Sequence, residues 1–162
     1  MDPRISLLLD ALDQAYDRPS WHGTNLRGSL RGLTPGQAAW RAAPERPSIQ
    51  ELVLHAAYWK HAVLRQLVGL PRGSFPLPGA NHFPRPDQPS AEAWKGDRAL
   101  LDRVHRDLRA AVAGLDPRRL QAPSAKARWR LQDLILGVAA HDLHHGGQIQ
   151  LIKRIGAAPP QR

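Results

Sequence analysis

Apolar residues recur with helical spacing in four long stretches of this chain, and the alternation typical of strands is nearly absent. The first stretch includes the letters ISLLLDALDQAY; Pro19 interrupts its pattern, which resumes over residues 21–33. The four stretches cover residues 5–16, 49–69, 91–115 and 130–155. Four long amphipathic helices around one core are typical of a four-helix bundle. The pattern therefore predicts an all-α fold, with residues 1–162 forming one domain.

Start and stop signals agree with this pattern. Residues 34–37 (TPGQ) and 48–51 (SIQE) have the form of capping boxes, and Ser90 is placed to cap the third long helix. Residues 116–120 (DPRRL) are expected to form another short turn. Between the second and third long helices, residues 70–89 contain six prolines. Loops of this length are often functional, so we expect this one to lie over one end of the bundle and form part of a site wall.

Composition indicates an ordinary globular protein and limits its chemistry. Of the 162 residues, 42% are hydrophobic and 23% are charged, and no stretch has the apolar length of a membrane span. The beginning, MDPRISLLLDALDQ, lacks the small-residue cleavage site of a secretory signal, so a cytoplasmic location is expected. The chain has no cysteine. Disulfides, thiolate metal ligands and a cysteine nucleophile are therefore excluded.

The formal net charge is +9, which raises the alternative of a nucleic-acid binder. The arginines are scattered singly or in pairs, however, and no interleaving of aromatic and basic residues indicates a base-stacking surface. Nucleic-acid binding is kept as the least favoured of three functional hypotheses.

The letters HDLHH at residues 141–145 provide the main chemical signal. His141 and His145 are one helical turn apart, about 40° from each other on the face that carries Leu134, Val138 and Ile152. His144 lies to the side of that face. Two neighbouring imidazoles on an apolar face have four ring nitrogens to satisfy, and a bound metal ion would engage one from each. The pair is therefore a candidate pair of metal ligands.

A stable site needs at least a third ligand, and no His, Asp or Glu follows His145. The spacing H-D-x-x-H resembles the H-E-x-x-H of zinc peptidases, but Asp142 replaces the catalytic Glu and a downstream ligand is lacking. His55, on the apolar side of the second long helix, is the favoured upstream ligand. His22 and His82 remain open as residues that approach the site.

The other candidates have simpler explanations. His61 lies about 120° from the direction of His55 and is expected to be exposed, and His105 lies between two arginines and is expected to be solvated. Glu51 is one turn before His55, where it could bind a metal or support a ligand. Its role in the capping box of SIQE is already a sufficient explanation.

Two segments together resemble the DinB/YfiT-like superfamily of bacterial four-helix-bundle metalloproteins. They are SIQELVLHAAYW at residues 48–59 and HDLHHGGQIQLIKR at residues 141–154, and the resemblance extends over nearly the whole chain. Its most specific element is H-x-x-x-H-x-G-Q in the last helix combined with a histidine one turn into the second. The resemblance implies that His55, His141 and His145 bind a divalent ion, with zinc or nickel favoured and manganese, iron or cobalt as alternatives. Four residues are candidates for supporting these ligands: Glu51, Asp142, Gln148 and His22.

The resemblance also implies a function. Characterised relatives are metal-dependent and use low-molecular-weight thiols, as in thiol S-transferases and a maleylpyruvate isomerase, while others are described as hydrolases. We therefore expect a metal-dependent transferase or hydrolase, and as the alternative a non-catalytic metal-binding bundle of the DNA-damage-inducible, stress-response type. Members commonly form homodimers. Many carry Arg at the place of Gly146, so the role of that Arg is vacant here or is taken by another arginine.

Gly146 and Gly147 interrupt the predicted last helix. Glycine inside a helix costs about 1 kcal/mol relative to alanine, so the pair needs a compensating reason. We expect the helix to be pressed against a neighbour just past His145, which would bring the site within reach of His55. On this hypothesis, a leucine at position 147 would weaken metal binding.

Overall fold

The computed structural model describes residues 1–85, 90–124 and 128–157. Within these ranges the chain forms six α-helices and one 3₁₀ turn, Pro117–Gln121. The helices are α1 (Pro3–Tyr16), α2 (Leu26–Ser29), α3 (Pro35–Ala39), α4 (Ile49–Val68), α5 (Ala91–Ala113) and α6 (Leu131–Ala157). The prediction of an all-α bundle with four long helices is confirmed.

The predicted helix ends are present. Both capping boxes form: the Thr34 side chain accepts from the Gln37 amide, and the Ser48 side chain accepts from the Glu51 amide. Ser90 caps α5 in the same way. Helix α4 ends at Gly69, whose φ of 77° lies in the left-handed region that glycine adopts without strain.

The expectation that helix resumes over residues 21–33 is wrong for most of that segment. Only Leu26–Ser29 is helical, and residues 21–25 are irregular. The Asn25 side chain caps this single turn by accepting from the Gly28 amide, and its amide group donates to the Arg18 carbonyl. Gly23, with φ of 97°, turns the chain ahead of it. Asn and Gly thus provide a turn at a place where the apolar spacing alone predicts a helix.

The four long helices pack in a ring in which α1 contacts α5 and α6, and α4 contacts the same two helices. The apolar core has two parts, one built on residues 49–57 of α4 and the other on residues 63–67. Along α4, α5 and α6, the buried polar residues that fall between these parts include Lys60, His105 and Asp142. Helix α2 packs on α6 near the same level. No helix in the described part of the chain combines the length and apolarity that a membrane crossing requires.

Candidate metal centre

Helices α4 and α6 bring three imidazoles together. Nε2 of His141 lies 3.1 Å from Nε2 of His55 and 3.0 Å from Nε2 of His145. One nitrogen of each ring lies within 4.8 Å of a nitrogen of each of the other two. Among the described residues, these three histidines are the group of His, Asp and Glu side chains close enough together to hold a metal ion. The i, i+4 spacing on α6 places two of the rings on one face, and the contact between α4 and α6 provides the third.

The far side of two rings is held by neighbouring polar groups. Nδ1 of His55 donates to the Asn81 carbonyl oxygen at 2.6 Å, and Nδ1 of His145 donates to Oε1 of Gln148 at 2.6 Å. A proton on Nδ1 leaves a lone pair on Nε2. Histidine ligands in metal sites are commonly oriented by such a bond from the second nitrogen.

This donor set fits a cation. Two of the three converging Nε2 atoms carry lone pairs, and a proton on Nε2 of His141 could satisfy only one of them. Nδ1 of His141 is buried and has no hydrogen-bond partner among the described residues. Burial lowers the pKa of His141 to about 3 and that of His145 to about 4, and it also lowers the pKa of His55. The three rings are therefore neutral near pH 7, as metal ligation requires.

The four residues expected to support the ligands have different surroundings. Gln148 contacts His145 directly. The carboxylate of Glu51 is held by Arg41, at 2.5 and 2.6 Å, and accepts from the backbone amides of Ser48 and Arg85, so its hydrogen bonds are those of a capping residue and an ion pair. The Asp142 carboxylate pairs with Lys60. His22 is exposed, and its ring contacts the Ser20 hydroxyl at 2.9 Å.

Two expectations about the remaining histidines are wrong. His61 is buried against Ser74 and Phe75, because the proline-rich loop folds back over this face of α4. His105 is buried within the bundle, 4% exposed, because its ring faces inward although its sequence neighbours are charged. His144 is exposed beside the His145 ring, as expected for a flanking residue.

The loop between α4 and α5 contributes to the site. The His82 ring stacks on His55 with 5.8 Å between ring centroids. His82, Phe83 and Pro84 line a cavity of about 470 Å³ together with His55 and His145. The prediction that this loop forms part of the site wall is therefore confirmed for its described part. The expectation that it lies over one end of the bundle is wrong, because it runs back along the side of α4, from Ser74 at His61 to Arg85 at Glu51. Residues 86–89 lie outside the described residues.

A second cavity reaches the cluster from another side. It measures about 340 Å³ and is lined mainly by apolar groups, and His141 is one of its lining residues. The rings of Trp59 and Trp129 form part of its wall, and both are partly exposed, at 41% and 52%. Trp59 also contacts His55 and His141 edge-on, with 6.3 Å between centroids in each case.

Sequence reasoning missed Asn81 and the role of Trp59. The Asn81 carbonyl holds His55, and its side chain accepts from Nε1 of Trp59 at 2.9 Å. Asn81 has φ of 66°, in the left-handed region that Asn tolerates better than most residues. An Asn after Gly-Ala in a proline-rich loop was the available signal, but nothing in the sequence indicates which histidine such a loop residue contacts.

Comparison with known families agrees with this picture. A family model described as the DinB superfamily matches residues 20–149. The chain belongs to the DinB superfamily. The matched region contains all three clustered histidines, and the cluster is compatible with a metal-binding protein. No characterised protein and no solved structure gives a match to this chain.

In this DinB-superfamily chain a line of buried polar residues runs away from the histidines. Asp142, next to His141 in sequence, forms an ion pair with Lys60, and both side chains are completely buried. Nζ of Lys60 also donates to Nδ1 of His105 at 3.3 Å. The His105 ring stacks on Tyr16, at 3.7 Å between centroids, and the Tyr16 hydroxyl donates to Asp102. Burial, with a contribution from the Lys60 charge, lowers the pKa of His105 to about 3, so His105 is a neutral acceptor.

The two glycines of the DinB-superfamily motif have unequal surroundings. A Cβ at Gly146 would lie 3.6 Å from the backbone nitrogen of Leu26. A Cβ at Gly147 would meet no atom within 4 Å. At Gly146 the last helix therefore packs on the backbone at the start of α2, in ordinary van der Waals contact, and not on the helix that carries His55. The hypothesis that Gly147 requires this space is wrong.

Proposed function

We propose that this protein is a metal-dependent enzyme in which His55, His141 and His145 hold a divalent ion, with zinc or nickel favoured. The observation that carries the proposal is the convergence of three neutral rings. Nε2 of His141 lies 3.1 Å from that of His55 and 3.0 Å from that of His145. Asn81 and Gln148 orient the His55 and His145 rings from behind. Such a set of rings in a partly buried position has no adequate hydrogen-bonding solution of its own.

The protein's own residues suit an open catalytic centre rather than a closed structural one. Three imidazoles add no negative charge, and a divalent ion so bound supplies a Lewis acid that lowers the pKa of a thiol or of water. Asn81 and Gln148 fix the two rings, while Trp59 covers one side of the cluster and limits the access of water. With no cysteine in the chain, a thiol in the reaction has to come from a cosubstrate.

Two cavities meeting at one cluster support a reaction between two substrates. The larger cavity presents polar groups, including Arg41 and Glu45, and suits a hydrophilic low-molecular-weight thiol. The smaller is walled by Trp59 and Trp129 and suits an apolar electrophile. We therefore favour a thiol-dependent S-transferase acting in the cytoplasm, with hydrolysis as the related reaction if water takes the place of the thiol.

One observation favours a non-catalytic alternative, a metal-binding stress-response bundle. The two carboxylates nearest to the ligands in sequence, Glu51 and Asp142, are both engaged in ion pairs, Glu51 with Arg41 and Asp142 with Lys60. Neither is free to act as a general base in this arrangement. The metal site would be the same in this alternative, and only an activity assay separates the two.

Metal binding is tested by elemental analysis of protein purified without a histidine tag. The wild type is expected to carry about one divalent ion per chain, and His145→Ala is expected to lose it, since two ligands hold such an ion poorly. His144→Ala is the matched control because it removes an exposed neighbouring imidazole and should keep the metal. Equal metal content in all three proteins would contradict the proposed site.

Catalysis is tested by supplying the metal-loaded protein with mycothiol, bacillithiol or glutathione and the electrophile 1-chloro-2,4-dinitrobenzene, and separately with p-nitrophenyl acetate. Thiol conjugation above the uncatalysed rate, lost in His145→Ala and retained in His144→Ala, is the expected result. A metal-loaded wild type that accelerates neither reaction would favour the non-catalytic alternative.

We also propose that the chain forms a homodimer through α6. Three exposed leucines follow one side of this helix at spacings of seven and eight residues: Leu136, Leu143 and Leu151. Ala140 and Gly147 lie on the same side and would allow close approach of a second helix. Sedimentation equilibrium should give a dimer for the wild type and a monomer for Leu143→Lys, whereas a monomeric wild type would contradict the proposal.

A further inference from the structure

A cavity of about 450 Å³ lies between α2 and the first half of α5, and its lining includes none of the clustered histidines. Four basic side chains line it: Arg27, Arg31, Lys95 and Arg98. The lining also contains two carboxylates, Asp17 and Asp102, so its formal charge is +2.

The charges inside this cavity are unevenly paired. The Asp102 carboxylate accepts from Nε of Arg27 at 3.1 Å and from the buried Tyr16 hydroxyl, so this carboxylate is already engaged. The Arg98 guanidinium lies over the Trp94 ring, 5.1 Å from its centroid. Arg31 and Lys95 are exposed, and within the described ranges no carboxylate forms an ion pair with either. The cavity therefore holds two cations available to a ligand.

The base of the cavity is apolar. Leu30 and Leu101 are buried residues of the lining, and Ala99 is an exposed apolar residue of the same lining. A fully solvated patch of surface charges would not need such a floor. A ligand that matches both parts carries a compact group of about two negative charges and a small apolar portion, because guanidinium groups bind phosphate oxygens in pairs and lysine adds a point charge.

We propose that this cavity binds a phosphate-bearing small molecule, with the phosphate between Arg31 and Lys95 and the apolar portion against Leu30 and Leu101. Arg27 and Arg98 border the same space and supply further positive potential. The proposal is independent of the metal centre, because the two sites share no lining residue.

The test is isothermal titration of the full-length protein with phenyl phosphate and, separately, with inorganic phosphate, at constant ionic strength. We expect saturable binding of phenyl phosphate with a Kd between about 10 μM and 1 mM. The Arg31→Gln/Lys95→Gln double variant should weaken it by about tenfold or more, since two charge-assisted hydrogen bonds are lost. Tighter binding of phenyl phosphate than of inorganic phosphate would support an organic phosphate as the ligand; equal binding would show that the apolar lining adds nothing and would overturn that part of the proposal.

The matched control is Arg103→Gln/Arg106→Gln, which removes the same charge from exposed positions of α5 outside the cavity. This variant should keep the wild-type affinity, and so should His141→Ala, which separates the cavity from any anion bound at the metal centre. Three results would overturn the proposal: no saturable binding, equal weakening in both double variants, or loss of binding in His141→Ala. The protein could instead bind duplex DNA but not phenyl phosphate, with both double variants weakening the DNA binding equally. That result would indicate a general charge effect and would also overturn the proposal.

Discussion

At the scale of single residues, Gly146 and Gly147 are chemically identical neighbours with opposite surroundings. A Cβ at Gly146 would already contact the backbone at Asn25 and Leu26, so the further atoms of Gly146→Leu would overpack this buried position and should lower the free energy of unfolding by about 1–3 kcal/mol. Gly147→Ala faces open space and should raise it by about 0.5–1 kcal/mol, because alanine loses less backbone entropy in a helix. Urea unfolding of both variants checks this, and equal effects at the two positions would contradict the packing described.

Gln148 offers a second prediction at this scale, resting on the proposed metal site. Its Oε1 accepts from Nδ1 of His145, and loss of such a supporting bond typically lowers metal affinity about 10–100-fold. Gln148→Leu should show this loss in a competition assay with a chromogenic chelator. Gln150→Leu, two residues along the same helix, is the matched control and should bind metal like the wild type. Unchanged affinity in Gln148→Leu would mean that His145 needs no such support.

At the scale of helices, the Lys60–Asp142 pair links α4 to α6 in the layer between the two parts of the core. Lys60→Met leaves a buried carboxylate without its cation and should cost about 3–5 kcal/mol of unfolding free energy. The Lys60→Met/Asp142→Leu double variant should cost much less than the sum of the single changes, which a double-mutant cycle in urea measures.

The exposed pair Arg130–Asp133 serves as the control for this cycle. Its members are on the surface and three residues apart, so breaking it should cost less than about 1 kcal/mol. Additive costs at Lys60 and Asp142, like those expected at the surface pair, would show that burial does not couple them.

Helices whose ends and apolar pattern are encoded locally were predicted well, and segments whose structure depends on turn residues or distant contacts were not. Helices α4 and α5 follow from local features, a capping box or serine cap before a long apolar pattern, and both were predicted within a few residues. Residues 21–33 carry a similar apolar spacing, yet only one helical turn forms there, because Gly23 turns the chain and Asn25 caps the start of α2. His61 and His105 were misjudged because the wheel position and charge of sequence neighbours do not report which distant segment covers a face.

At the scale of the whole molecule, stability should depend on pH through the buried histidines. The folded-state pKa of His105 is about 3, below the usual value near 6.5, so the unfolded chain takes up the proton first. The contribution of His105 to the free energy of unfolding is therefore present above about pH 6.5 and is lost as pH falls toward 3. His141 and His145 act in the same sense in metal-free protein, while the raised pKa of Asp142 acts in the opposite sense below about pH 6.

Comparison of the wild type with His105→Gln isolates the contribution of His105 to this pH dependence. In the presence of a chelator, urea unfolding between pH 7 and pH 4 should give a shallower decline for the variant, by up to about 1.4 kcal/mol per pH unit. His144→Gln, an exposed residue, should leave the slope unchanged. Parallel curves for wild type and His105→Gln would show that His105 is not held neutral in the folded state.

The sequence by itself determined the helical class, the family resemblance and the pairing of His141 with His145, because these depend on periodicity and on spacing within one helix. His55 and Gln148 were candidates from the sequence, but only the tertiary structure decided that His55 lies against the pair, that Asn81 holds its ring, and that Lys60 neutralises Asp142. The physical reason is that a helix sets the angles between its own side chains, whereas contacts between α4, α6 and the proline-rich loop depend on how separate surfaces pack. The difference between Gly146 and Gly147 has the same cause, because only Gly146 faces the backbone of α2.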